Sequence, residues 1–221
     1  MLIDTLNRKP PEQAVILFDG TTMEGWLRQD GRPADWEIEE GALKVVPGSG
    51  DIGTAGKFED HFLHLEFRLS DMPEARGQKK ANSGVFLQGR YEIQVLDSSG
   101  WDVPGVGDCG AVYDQYAPLV NACKPALEWQ AYEVIFRAPR CEGTVVRERP
   151  RVTVFLNGVL IHNNVELSGM TGAPTDTKVH LPGHLRLQDH GDVVWYRNIW
   201  AVHLPREGSR EYGPSMQAPA R

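Results

Sequence analysis

The chain has 221 residues, of which 41% are hydrophobic and 24% charged, a balance that excludes a disordered or membrane-embedded chain. No apolar run approaches the roughly 18 residues that a membrane helix needs. A net charge of -7 with scattered basic residues argues against nucleic acid as a partner.

The first 13 residues read as an N-terminal extension. They lack the basic region, apolar stretch and cleavage site of an export signal. A cytoplasmic location is therefore expected, with a periplasmic or secreted one the alternative if a leader was removed. "AVILFDG" (14–20) is a short apolar run closed by a turn pair. "DWEIEEGALKVV" (35–46) is two alternating runs hinged at Glu40-Gly41, hence a hairpin. In "HFLHLEFRLS" (61–70), Leu63, Leu65, Phe67 and Leu69 share one face, and Phe62, His64, Glu66 and Arg68 the other.

"NSGVFLQGRYEIQVLDS" (82–98) reads as a strand, a short connection and a second strand. "WQAYEVIFRA" (129–138) and "RVTVFLNGVLIHNN" (151–164) follow, the latter with an Asn157-Gly158 pair whose two residues suit the positive φ angles of a type I′ turn. The run "VVRERPR" (145–151) reads as a solvated loop. "GHLRLQDHGDVVWYRNIWAVHL" (183–204) gives two more strands around a turn at His190-Gly191-Asp192. Residues 115–128 carry two prolines and hold at most a short helix. The irregular segments 98–128 and 165–182 are long enough to be functional loops, and 205–221 reads as a tail. Many short strands with regular turn signals predict an all-β sandwich or barrel, a single domain over 14–204. The three cysteines show no metal-ligand spacing; reduced thiols are expected, or one Cys109–Cys123 bridge if the protein is exported.

The polar columns matter most. In 90–96, Tyr91, Ile93 and Val95 form the apolar column, with Glu92 and Gln94 opposite. Asp97 joins the polar side only if a bulge inserts one residue. In 184–190, Leu185 and Leu187 face the core, while Arg186, Gln188 and His190 face away. Such columns are either solvent faces or one shared groove. Carboxylates, amides and imidazoles beside aromatics favour the groove. Carboxylates spaced ~7 Å along a strand can straddle a sugar ring, as acid–base chemistry on sugars requires.

Together, "LFDGTTMEGW", "DWEIEEGALKV", "LHLEFRL", "NSGVFLQGRYEIQVLDS", "KPALEWQAYEVIFRAPR", "VTVFLNGVLIHNN" and "GHLRLQDHGDVVWYRNIW" resemble the 3-keto-disaccharide hydrolase domain, in order over about residues 15–204. The resemblance implies a concanavalin-like jelly roll of two antiparallel sheets, and cleavage of glycosides whose C3 hydroxyl has been oxidised to a ketone. It places Glu66, Asn82, Glu92, Gln94, Asp97, Gln188, His190 and Arg197 in or beside the groove. Gln88 stands where many relatives carry Arg. The expected catalytic set is Glu92, Asp97 and His190, with Glu66, Asn82, Gln88, Gln94, Trp101, Arg186, Gln188 and Arg197 binding substrate. A divalent metal, if used, would take Glu92, Asp97 and His190 as ligands. Asp189, on the apolar column, is expected to support the turn. Two other readings stay open: a carbohydrate-binding module on the same fold, and a laminarinase-like glycosidase. Sugar, linkage and oligomeric state are not legible.

Overall fold

A computed structural model describes residues 5–207. Residues 1–4 of the expected extension and 208–221 of the expected tail lie outside the described residues. The first strands are β1 (Val15–Phe18), β2 (Trp26–Arg28), β3 (Glu37–Glu39), β4 (Ala42–Lys44), β5 (Ile52–Phe58), β6 (His61–Leu69), β7 (Ser83–Leu87) and β8 (Tyr91–Val95). They are followed by β9 (Trp129–Arg137), β10 (Arg140–Glu142), β11 (Val145–Glu148), β12 (Arg151–Leu156), β13 (Val159–Glu166), β14 (Gly183–Leu187) and β15 (Val194–His203).

Two antiparallel sheets form a sandwich. The larger runs β13-β12-β9-β6-β15-β4-β3, with β1 also pairing β15; the smaller runs β2-β5-β14-β7-β8. Between them, Leu63, Leu65, Phe67 and Leu69 of β6 share one apolar cluster with Val85, Leu87, Tyr91, Ile93 and Val95 of β7 and β8. Each such side chain contributes ~1.5–3 kcal/mol on burial, so the apolar columns fix which face of each strand turns inward. The opposite columns then belong to two different outer faces. Phe62, His64, Glu66 and Arg68 lie on the outside of the larger sheet; Phe86, Glu92, Gln94 and Arg186 lie on the outside of the smaller.

Three tight hairpins follow from local chemistry. Asn157 and Gly158 have φ of 55° and 76°, and Glu40 and Gly41 have 52° and 75°, so both sequence-predicted turns form. The β7–β8 turn uses Gln88 and Gly89 at 53° and 68°. Residues 145–151 are not a simple loop: β11 pairs β10 in an exposed two-stranded ribbon, held at its surface by Arg147 and Glu142. Gly143, at a φ of 60°, supplies the turn between the two strands. β14 and β15 are consecutive but sit in different sheets, so residues 188–193 cross the edge of the sandwich. Cys109, Cys123 and Cys141 are free thiols.

Candidate active site

On the outside of the smaller sheet, Glu92 pairs in register with Phe86, and Gln94 with Gly84. The glycine is needed there: a Cβ on Gly84 would sit 2.3 Å from Glu92 Oε1. Arg186 of β14 stands opposite Phe86, its guanidinium carbon 3.6 Å from the ring centroid. Arg186 also donates to Ala173 O at 2.7 Å and approaches Asp51 Oδ2 at 3.4 Å. Both long irregular segments supply walls. Tyr113 N donates to Glu92 O, and Thr171 Oγ1 accepts from Glu92 N at 2.9 Å. The result is a cavity of about 190 Å³ lined by Gln78, Asn82, Glu92, Gln94, Tyr113, Gln188 and His190, with Gly172 and Ala173 above.

Glu92 is only 4% exposed. Burial pushes its carboxyl up to about 8; the Arg186 charge opposes this, and Asp51 and Asp114 reinforce it. Near neutral pH Glu92 is therefore mostly a carboxylic acid. The Gln94 amide lies beside this carboxyl. Its amide nitrogen donates to Gln78 Oε1 at 3.1 Å and Asn82 Oδ1 at 3.3 Å. Turned over, the same nitrogen reaches Glu92 Oε1 at 3.1 Å and Ser83 O at 3.0 Å instead. Four oxygens thus compete for two N–H groups. A protonated Glu92 relieves one, because its O–H can donate to the Gln94 oxygen. Gln188 Oε1 is buried without a protein partner among the described residues, an acceptor left for a ligand hydroxyl.

The structure brings together Asn82, Glu92, Gln94, Gln188 and His190 around this cavity, with Arg186 beside Glu92. It does not bring the other expected residues there. β8 ends at Val95 with no bulge to return Asp97 to the polar face; its carboxylate binds Lys80 Nζ at 2.8 Å and the Ser99 amide. Gln88 is committed to the β7–β8 turn, where its Nε2 donates to Phe58 O at 2.9 Å. Trp101 lies in the 98–128 loop, 39% exposed and away from the cavity lining. Glu66 and Arg197 form an ion pair at 2.8 Å on the outside of the larger sheet, separated from Glu92 by the whole apolar core. There residues 7 and 8 cover them: Asn7 N donates to Glu66, and Asn198 Nδ2 to Arg8 O at 3.0 Å. Because Asp97 lies apart, Glu92, Asp97 and His190 do not converge as a ligand set, and among the described residues no cluster of three or more His, Cys, Asp or Glu is placed to hold a metal. Asp189 braces the turn, accepting from Gly48, Gly50 and Gly191 amides at 2.7–2.9 Å.

Sequence reasoning missed Gln78, Tyr113 and Asp51. Tyr113 carried a faint signal, an aromatic in a loop already suspect for its length. Gln78, in a one-turn 3-10 helix (Gly77–Lys79), and Asp51, which meets Arg186 only across β5 and β14, carried none.

Residues 13–202 match the 3-keto-alpha-glucoside-1,2-lyase-like domain. The chain belongs to that family. It is similar to a 3-keto-disaccharide hydrolase of Bacteroides thetaiotaomicron, 25% identical over 84% of this chain and 76% of the relative. Among solved structures it resembles a candidate glycosyl hydrolase of Parabacteroides distasonis, with 37% identity, a TM-score of 0.81, and coverage of 87% of this chain and 84% of the other. A second such protein from that organism shares the fold at 22% identity and a TM-score of 0.63, over 88% of this chain and 95% of its own. This family member thus has the fold of carbohydrate-active enzymes related to 3-keto-disaccharide hydrolases.

Proposed function

We propose that the chain cleaves 3-keto-glycosides by elimination and hydration, with Glu92 as the proton-transfer group. The observation that carries this reading is a single buried carboxyl, ionising at about 8, on the floor of a cavity otherwise lined by amides, a phenol and an imidazole. A C3 ketone acidifies the C2 proton. Glu92 in its ionised form takes that proton, and the C2–H electrons form the enediolate. The enediolate then expels the C1 oxygen, which leaves as an alcohol after gaining a proton from His190 at the cavity rim. Water adds across the C1–C2 double bond, hydroxyl to C1 and proton to C2, giving the free 3-keto sugar. The Asn82, Gln94 and Gln188 amides orient the ring hydroxyls. A base with an ionisation near the working pH suits such a step.

Double displacement needs two carboxyls about 5–5.5 Å apart, flanking the bond. Among the described residues lining the cavity, Glu92 is the one carboxylate. That favours elimination over a laminarinase-like mechanism.

The test is incubation with a 3-keto-disaccharide and its unoxidised parent, with and without EDTA, using wild type and Glu92→Gln. Cleavage of the keto sugar alone, lost in Glu92→Gln, is expected; inhibition by EDTA would bring in a metal. Cleavage of the unoxidised parent overturns the reading. Binding of the keto sugar with no cleavage at all would favour a carbohydrate-binding module.

A further inference from the structure

A second cavity opens on the same outer face of the smaller sheet. It holds about 440 Å³ and is bordered by Arg28, Lys57, Thr175 and His184, with Gly53 and Leu27 in its floor. Along β14 and the residues just after it, the side chains of His184, Arg186, Gln188 and His190 point to this face in turn. Gln188 and His190 line the Glu92 cavity, His184 lines the second, and Arg186 stands between. Across the strands, one row of register partners joins the two: Glu92–Phe86, Phe86–Arg186, Arg186–Gly53 and Gly53–Leu27. Three strand spacings separate Glu92 from Gly53, on the order of 14 Å. Phe86 and Arg186 in that row are buried, Arg186 beneath the Ala173 carbonyl, so a disaccharide-sized substrate reacting at Glu92 would have to reach the second cavity over the 172–175 segment.

Its charge is one-sided. Arg28 and Lys57 are the charged groups on its border, and among the described residues no Asp or Glu lines it. Arg28 pairs with Asp35, and the nearby Asp176 is held by Arg90 at 2.8 Å. Lys57 is exposed, and its side chain makes no hydrogen bond or ion pair with the described residues. His184 lies flat against the sheet because Gly53 has no side chain; a Cβ there would come within 2.7 Å of the ring. Its Nε2 meets Thr175 Oγ1 at 3.3 Å. Burial first, then the Arg186 charge, and after Asp176's opposing effect those of Arg90 and Lys57, keep the His184 imidazole below its usual value, so the ring sits in a positive field. An acidic group placed there would gain Lys57 as a new partner and meet no carboxylate on the cavity border.

We infer that this cavity is a subsite for an anionic leaving group, so that the favoured substrates are 3-keto-glycosides whose aglycone carries a carboxylate or phosphate. The inference rests on the cleavage reading above, and its test separates the two. Three 3-keto-glucosides are compared: one of a neutral hexose, one of glucuronic acid and one of glucose 6-phosphate. The acidic aglycones are expected to show about 10-fold higher kcat/KM through lower KM, and Lys57→Gln to abolish that preference while leaving the neutral substrate unchanged. The better of the two acidic substrates tells carboxylate from phosphate recognition. Equal kcat/KM for all three, or a preference that survives Lys57→Gln, overturns the inference with the cleavage reading intact. Titration with glucuronate and with glucose 6-phosphate, followed by the His184 ring resonances, reads the subsite without turnover. Shifts in wild type that vanish in Lys57→Gln show the anion site itself apart from turnover, and no shift with either anion refutes the inference.

Discussion

Replacing Glu92 by Gln isolates the cost of keeping a carboxyl buried. In the unfolded chain this group ionises near its ordinary 4.5, whereas in the fold it holds its proton until about 8. Between those values the unfolded state has released a proton that the folded state retains, so wild-type stability falls as pH rises through this window. Each pH unit is worth ~1.4 kcal/mol, which gives on the order of 3 kcal/mol lost by pH 7 and on the order of 5 kcal/mol above pH 8. That is a large share of the roughly 5–15 kcal/mol that holds a typical domain together. The glutamine of Glu92→Gln cannot titrate, and its amide can donate to the Gln94 oxygen in the carboxylic acid's place. Denaturant unfolding of both proteins at about pH 4, 7 and 8.5 is the assay. The variant should match wild type near pH 4 and exceed it increasingly toward pH 8.5, while losing catalysis. A gap that does not change with pH would refute the burial argument, because it would mean that Glu92 ionises alike in both states.

On the proposed chemistry, kcat/KM should rise with pH on the acid side of a limb near 8 as Glu92 loses its proton; a pH–rate profile flat from about 6 to 9 contradicts its role as base. Gly84→Ala should displace the Glu92 carboxyl, whose Oε1 would lie 2.3 Å from the new methyl, reducing activity far more than the ~1–3 kcal/mol of overpacking reduces stability; activity and thermal melts check it together. On the far face, burial alone would raise the Glu66 carboxyl, but His64, Asn198, Arg197 and the Asn7 amide outweigh it and bring it to about 2. Its stabilisation, on the order of 3 kcal/mol, is complete above 4.5 and lost as pH falls toward 2, so Glu66→Gln should remove that acid-side loss from unfolding curves.

Much of the fold could be read because strand periodicity has few alternatives once an apolar column must be buried. Glu92 and Gln94 were legible for that reason, since their neighbours Tyr91, Ile93 and Val95 leave them one way to face. The same reasoning placed Glu66 correctly as outward but could not say outward from which sheet. That depends on β6 pairing β9 and β15 rather than β7, a long-range choice with no local mark. Asp97 failed because one residue of register separates the two faces, and the strand ends where a bulge was needed. Gln88 failed because glutamine is an unusual occupant of a left-handed turn position, normally given to Asn, Asp or Gly. Its long side chain reaches the Phe58 carbonyl, which none of those three would do.

The passage from β14 to β15 has a consequence for how such a protein can change. Gln188 and His190 form one wall of the cavity and also lie on the strap that stitches the sheets together. Asp189 within it clasps the 48–50 turn, and Asp192 receives the Asn82 amide at 2.8 Å. Glu92 sits on a different strand, so the gap between its carboxyl and that wall is a joinery dimension of the sandwich itself. Diversity in substrate choice therefore has an easy route and a hard one. The 98–128 and 165–182 segments are themselves tied to the frame, with Cys109, Val112 and Leu167 in the core, so only their exposed stretches can be rewritten at little risk. Alterations to the strap trade specificity against cohesion of the whole molecule.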